Sequence, residues 1–324
     1  MKYKQLTLLK RYHISTLIKE GYNQKDIAIK IGVHPSTICR EFKKYRDKES
    51  QEYKAEESHI QTKLNHINKP KRNSINKAIE KYIRRKLKED WSPEQLVGRL
   101  KTDTHLTISH ETIYKFIYNN KANGGKLFKY LRHKNRKYHK RSNEYQRRGI
   151  IIDRISIDKR PKVVDKKSRI GDWEIDTVIG KNHKGALVTI VDRKSKFTLM
   201  KKVQSKHAEV VTKATIELLQ PLKELTLTIT ADNGKEFAYH KQIASALDTS
   251  VYFCDPYSSW QRGLNEHTNG LIRQYIPKKS EFKNISQEEI VTIQNKLNHR
   301  PRKSLGFKTP FEVFMKAFSK KMTA

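Results

Sequence analysis

From about residue 168 the apolar pattern changes from helical spacing to alternation, and the order of the elements beyond that point leaves few folds open. Trp173–Ile179 alternates as a strand, and Ala186–Val191 and Phe197–Val203 do so on either side of the turn Asp192-Arg193-Lys194-Ser195. Residues 206–219 carry Ala208, Val211, Ile216 and Leu219 at helical spacing. Leu225–Thr230 reads as a strand, ended by Ala231-Asp232-Asn233-Gly234, where Asn-Gly forces a turn. A helix over 236–247, a short strand over Val251–Cys254 and a helix from Trp260 to Tyr275 complete the order. Three strands joined by tight turns pair antiparallel. Later strand–helix alternation pairs parallel. The pattern predicts an α/β mixed sheet of five strands flanked by helices.

The chain before this core is helical. In residues 1–46, Gln24, Ala28, Gly32 and Ile38 stand at helix-turn-helix spacing. Ala28 is small where two helices cross closely, and Gly32 can take a left-handed turn. Ile27, Ile31, Val33, Ile38 and Phe42 form the shared apolar face, and Cys39 is read as ordinary packing. The second helix starts at Pro35 or Ser36 and turns Ser36, Thr37, Arg40, Lys43 and Lys44 outward, side chains that contact phosphates and base edges in a major groove. Residues 74–90 form one charged helix with Ile75, Ile79, Ile83 and Leu87 on one side. Ser92-Pro93-Glu94-Gln95 is a capping box with proline in the first turn. A further helix from about Ser109 turns Ile113, Phe116 and Ile117 inward and Ser109, His110, Thr112 and Lys115 outward. This pair reads as a second DNA-binding helix-turn-helix or as a plain helical spacer, because the connection Lys101–Ile108 is long.

Charge names the partner. The formal net charge is +35, which calls for a polyanion, nucleic acid before an anionic membrane. No stretch is apolar enough to span a membrane, and no basic helix has the apolar face that surface binding needs. Two cysteines, Cys39 and Cys254, make neither a disulfide framework nor a cysteine zinc site, and no apolar signal core opens the chain, so the reading is a reducing, cytoplasmic compartment. Residues 121–148 hold 11 Lys or Arg against Glu144 alone, with Phe128, Tyr130, Tyr138 and Tyr145 interleaved, a composition suited to a nucleic-acid backbone or to a solvated linker. The domain reading is a helix-turn-helix domain (1–46), a charged linker (47–72), a second helical domain (73–120), a basic linker (121–165) and the mixed-sheet core with its tail (166–324).

The acids of the core stand apart from this basic background. Asp176 lies on the first strand, Asp232 ends the fourth, and Glu266 lies in the late helix after 33 intervening residues. Singly, each has an ordinary structural reading. Together, without a Cys–His cluster, they suit a hard divalent ion such as Mg²⁺ or Mn²⁺. Asp172, Glu174 and Asp176 share a strand face, so alternation alone leaves all three open.

Gly171-Asp172-Trp173-Glu174-Ile175-Asp176-Thr177-Val178-Ile179-Gly180 resembles the first acidic motif of the IS-thirty family of bacterial insertion-sequence transposases. Thr230-Ala231-Asp232-Asn233-Gly234-Lys235-Glu236-Phe237 resembles the second. Trp260-Gln261-Arg262-Gly263-Leu264-Asn265-Glu266, with Asn269-Gly270-Leu271-Ile272-Arg273-Gln274-Tyr275, resembles the third. The tail Leu297-Asn298-His299-Arg300-Pro301-Arg302-Lys303, with Leu305-Gly306 and Thr309-Pro310, also matches, as does the N-terminal helix-turn-helix. Ser259 replaces a frequent Pro and His267 a frequent Asn, and residues 47–72 and 121–165 match loosely.

The resemblance implies a ribonuclease H-like, retroviral integrase-like core with a catalytic, metal-holding triad Asp176, Asp232 and Glu266, Glu174 being the alternative on the first strand. It further implies a DNA transposase that binds terminal inverted repeats, cleaves and transfers DNA strands with two divalent ions, and works as a homo-oligomer on paired ends. Arg273, two turns beyond Glu266, would hold a phosphate. Trp260 would stack on an unpaired base or anchor its helix, and Gln261 beside it would also face DNA. A DNA-binding regulator with an inactive core, and another nuclease or integrase on the same fold, are the competing readings.

Overall fold

The computed structural model describes residues 5–45, 52–68, 75–132, 151–256 and 258–322. The chain divides into two compact units, residues 1–73 and 74–324. Residues 133–150, which hold most of the basic tract including Tyr138 and Tyr145, lie outside the described residues.

The first unit contains α1 (Leu8–Lys19), α2 (Gln24–Ile31), α3 (Pro35–Tyr45) and α4 (Ala55–Asn68). Asn23 caps α2 through its side chain, which accepts from Lys25 N and Asp26 N. Gly32 ends α2 at φ +67°, the left-handed conformation that turns the chain into α3. Ile27, Ala28 and Ile38 are buried together with Ile14 of α1. Beside this apolar core, Arg11 donates from Nε to Glu41 Oε1 at 2.6 Å, and Tyr53 donates to the same oxygen at 3.0 Å. Part of the stretch read as charged linker is thus the packed helix α4, with Tyr53 and Ala55 in the core of this unit. Cys39 is exposed on α3, not packed.

The second unit begins with α5 (Lys77–Lys88), α6 (Pro93–Thr104) and α7 (His110–Ala122). Ile75, Ile79, Ile83 and Leu87 are buried as the spacing predicts, and the Ser92–Gln95 capping box forms in both directions. The α6–α7 connection is shorter than the sequence reading, because α6 runs on to Thr104. These helices pack onto the core. Arg99 of α6 makes a two-pronged pair with Glu312 at 2.7 and 2.8 Å, and Asp90 accepts from Lys296 Nζ at 3.0 Å.

The core sheet has six strands among the described residues, not five: β1 (Ile155–Ser156), β2 (Asp172–Ile179), β3 (Ala186–Asp192), β4 (Thr198–Val203), β5 (Thr228–Ala231) and β6 (Ser250–Phe253), in the order β1-β6-β5-β2-β3-β4. The additional strand β1 comes from the segment read as basic linker and pairs parallel with β6. Two residues carry too little alternation to read as a strand, so only the partner β6 reveals it. β2, β3 and β4 pair antiparallel, and β5 joins β2 and β6 in parallel. Helices α8 (Ala208–Leu219), α9 (His240–Leu247), α10 (Gly263–Ile272), α11 (Gln287–Asn298) and α12 (Pro310–Met322) complete it. One apolar cluster holds Trp173, Ile229, Phe253 and Phe314, and another, between the sheet and α10 and α11, holds Val178, Leu271 and Leu297. No helix among the described residues is long and apolar enough to cross a membrane.

A Cβ at Gly32 meets nothing within 4 Å, so Gly32→Ala tests the backbone alone. The substitution is expected to destabilise the first unit by about 1–2 kcal/mol, the cost of a left-handed L-residue, read as a lower urea midpoint.

Candidate active site

The sheet register brings two of the acids together. β2 and β5 run parallel with Glu174 opposite Thr230. Two residues further along each strand direction stand Asp176 and Asp232. Neighbouring strands lie about 4.8 Å apart and side chains alternate, so both carboxylates leave the same face at one sheet end. Each side chain is 21% exposed.

A guanidinium bridges them. Arg262 Nη2 lies 3.0 Å from Asp232 Oδ2, and Nη1 lies 3.5 Å from Asp176 Oδ1. Arg262 Nη1 also donates to Ile175 O at 2.9 Å. Burial works against the Arg262 charge, but Asp176 and Asp232 outweigh it and its pKa rises. Burial pushes the Asp176 carboxyl up to about 6; Arg262 opposes the shift and Asp232 adds to it. Asp176 Oδ2 accepts from Asn269 Nδ2 at 2.8 Å, and its Oδ1 from Thr177 N at 2.9 Å. Thr189 on β3 donates towards Asn269 Oδ1 (3.3 Å), which orients that amide.

Glu266 lies on α10, exposed. Residues 262, 266 and 269 fall on one stripe at helical spacing, so Glu266 sits between two residues that both hold Asp176. A further acid, Glu236, accepts from Thr177 Oγ1 at 3.0 Å. A Cβ at Gly234 would lie 2.5 Å from Glu236 Oε2 and 2.8 Å from Asp232 Oδ1, so both acids approach the backbone at this glycine.

The other acids of β2 are engaged in structure. Glu174, 1% exposed, accepts from Arg193 Nη1 at 2.9 Å and from Asn265 N at 3.0 Å. Burial raises its pKa, opposed by Arg193. Asp172 pairs with Arg169 and accepts from Thr228 Oγ1 at 2.8 Å.

Among the described residues no three His, Cys, Asp or Glu side chains converge as a closed metal-holding group. The chemistry of the donors nevertheless fits a hard cation. They are carboxylate oxygens, two of which, on Asp176 and Asp232, are bridged by the Arg262 guanidinium.

The remaining expected positions fall into two groups. Arg40, Lys43 and Lys44 are exposed on α3, with Ser36 and Thr37 half-buried in its first turn. His110 and Lys115 are exposed on α7, and Trp260 is 75% exposed, so it does not anchor its helix in the core. Four others are engaged within the protein. The Ser109 hydroxyl caps α7 by accepting from Thr112 N at 3.2 Å and meets Thr112 Oγ1 at 3.0 Å. The Gln261 amide exchanges two hydrogen bonds of 2.8 Å with Asp255. α10 ends at Ile272, and Arg273 donates to Ile179 O at 3.1 Å and Pro277 O at 3.3 Å. The arginine at the carboxylates is therefore Arg262. The third motif by itself assigns Arg262 and Asn269 no role; their spacing from Glu266, four before and three after, is the signal that places them on its face.

Comparison with known proteins agrees with this architecture. Residues 148–259 match the family described as "Integrase core domain", and residues 2–44 match "Helix-turn-helix domain". The transposase for insertion sequence element IS4351 of Bacteroides fragilis is 46% identical over 99% of this chain and 98% of its own length. The transposase InsI for insertion sequence element IS30A of Escherichia coli is 36% identical over 95% of this chain and 82% of its own length. The chain belongs to the IS30 family of insertion-sequence transposases. It has the integrase-type, ribonuclease H-like core of DNA-cleaving and strand-transferring enzymes, preceded by a DNA-binding helix-turn-helix. That core family depends on divalent metal.

Glu174→Gln separates structure from chemistry on β2. It takes from buried Arg193 its nearest carboxylate, leaving Asp165 at 3.8 Å, and is expected to cost about 1–3 kcal/mol, measured by urea unfolding.

Proposed function

We propose that Asp176, Asp232 and Glu266 are the catalytic carboxylates of this transposase, that they hold two divalent ions, Mg²⁺ or Mn²⁺, and that the first unit reads the terminal inverted repeats of the element through α3. The observation that carries this is the parallel register of β2 and β5, which sets Asp176 beside Asp232 under Arg262.

The chain's own residues supply position. Asp176 and Asp232 project from a sheet end held rigid by pairing on both sides of β2. Asn269 donates to Asp176 Oδ2 at 2.8 Å and so helps to orient its carboxylate. Glu266 comes from α10, whose stripe faces the same carboxylates. Arg262 bridges the two aspartates. Divalent ions held by these carboxylates would supply Lewis acidity for displacement at a phosphodiester. Direct displacement by water or a 3′-hydroxyl needs no protein–DNA covalent link, so no Ser or Tyr nucleophile is invoked. Recognition in one unit and chemistry in the other let binding energy place a single phosphodiester at the carboxylates. Joining two element ends calls for a homo-oligomer. In this division residues 1–46 recognise the ends, 73–120 form a second helical module and 166–324 carry the chemistry.

A labelled duplex carrying the element's terminal repeat, incubated with the protein and Mg²⁺, Mn²⁺ or EDTA, tests the reading. Metal-dependent cleavage at the repeat end is expected, with Asp232→Asn abolishing cleavage and retaining end binding. Specific binding without cleavage by the unaltered protein would instead support a regulator. Arg40→Ala is expected to weaken end binding by about 1–3 kcal/mol in a gel-shift titration if Arg40 reads a base; unchanged affinity would remove it from the recognition surface.

A further inference from the structure

Arg300 and Arg302, in the tail motif that follows α11, are only 3% and 8% exposed. Buried guanidiniums ordinarily face carboxylates. These do not. Arg300 donates to Gln274 Oε1 at 3.3 Å and to the Tyr275 hydroxyl, and Arg302 donates to Leu297 O at 3.2 Å. The Nε of each is buried with no hydrogen-bond partner. Among the described residues neither forms an ion pair with a carboxylate.

Both line a groove of about 730 Å³ between the helical module of the second unit and the core. Arg132, Lys167 and Lys196 line it as well, from three separate segments of the chain. Its two acids are already engaged: Asp90 with Lys296 at 3.0 Å, and Glu94 with Lys303 at 2.7 Å. Burial, then Arg300 and Arg132, push the Arg302 guanidinium down to about 10, against the opposing influence of Tyr275. Tyr130 also lines the groove, and cations interleaved with an aromatic ring are how proteins hold a nucleic-acid strand. Gly263, Leu264, His267 and Leu271 of α10 form part of the lining. At 100° per residue they lie opposite the stripe 262, 266, 269, so the groove and the carboxylates sit on two sides of one helix, about 10–12 Å across.

We propose that this groove is a second nucleic-acid site, in which Arg300 and Arg302, with Arg132 and Lys167 beside them, hold a phosphodiester of a DNA strand next to the helix that carries Glu266. The inference rests on the reading of the chain as a DNA strand-transferase. It assigns a role to the tail motif, which the carboxylate site leaves unexplained.

The test uses the full-length protein in EDTA, with inorganic phosphate and an eight-residue oligothymidylate as probes. A single strand has no major groove for α3 to read. Relative to chloride at equal ionic strength, phosphate is expected to raise the thermal midpoint by a few degrees, and the oligothymidylate to do so at far lower concentration. Arg302→Gln is expected to lose both shifts. Should Arg302→Gln fail to fold, the exposed pair Arg132→Gln with Lys167→Gln decides. It is expected to weaken oligothymidylate binding about tenfold and to lower the slope of log affinity against log salt by about 1.4, at about 0.7 per phosphate contact on a single strand. Stabilisation by phosphate without tighter oligothymidylate binding would make this a free-anion site and overturn the strand assignment. Equal behaviour in phosphate and chloride, or variants that bind as the unaltered protein does, would overturn the site altogether. Because binding is read without cleavage, failure here leaves Asp232-dependent cleavage standing, and loss of that cleavage leaves groove binding measurable.

Discussion

Two carboxylates on neighbouring parallel strands repel each other, and the protein holds Asp176 and Asp232 in that arrangement. Pairing on both sides of β2 prevents the strands from sliding apart, because a one-residue slip would turn every core side chain to the wrong face. The repulsion is met by one guanidinium, Arg262, itself half-buried and bonded to Ile175 O. The rest of the site depends on this constraint. α10 must lie across β2 and β3 so that Arg262 and Asn269 reach Asp176.

The remaining charges of β2 show how a basic protein keeps such a site distinct. Glu174 and Asp172 have their own arginines, Arg193 and Arg169, and their own hydrogen bonds. They lock the β3–β4 turn and the entry of β2 to the sheet. Asp176, by contrast, shares its arginine with Asp232 and has its pKa raised to about 6 by burial first. One strand thus carries acids with two roles, separated by what each side chain meets and not by residue type.

Elsewhere the cations are the unbalanced partners. Arg300 and Arg302 are buried without carboxylates, whereas Arg99, Lys296 and Lys303 are paired across the boundary between helical module and core. The paired ones dock the module. The unpaired ones face the groove that docking creates. Carboxylates and buried arginines lie on two sides of α10, so one helix connects the two features.

Much of this was legible in the linear pattern, because local interactions set it. Helix caps such as Ser92 with Gln95, the left-handed turn at Gly32, the buried stripe Ile75, Ile79, Ile83, Leu87 and the alternation of β2 and β3 depend on neighbours a few residues away. The three acidic motifs are equally local, and it is their resemblance to the family's motifs that points to Asp176, Asp232 and Glu266 in the chain. What non-local packing sets was not legible. β1 is too short to show a period, and it exists only through pairing with β6. The tasks of Arg262, Gln261 and Arg273 depend on which backbone or carboxylate lies opposite, and alternation along β2 could not separate Asp176 from Glu174. Only folding brings Arg193 to Glu174 and Asp232 to Asp176, since the contacts that distinguish two acids on one strand come from residues far along the chain.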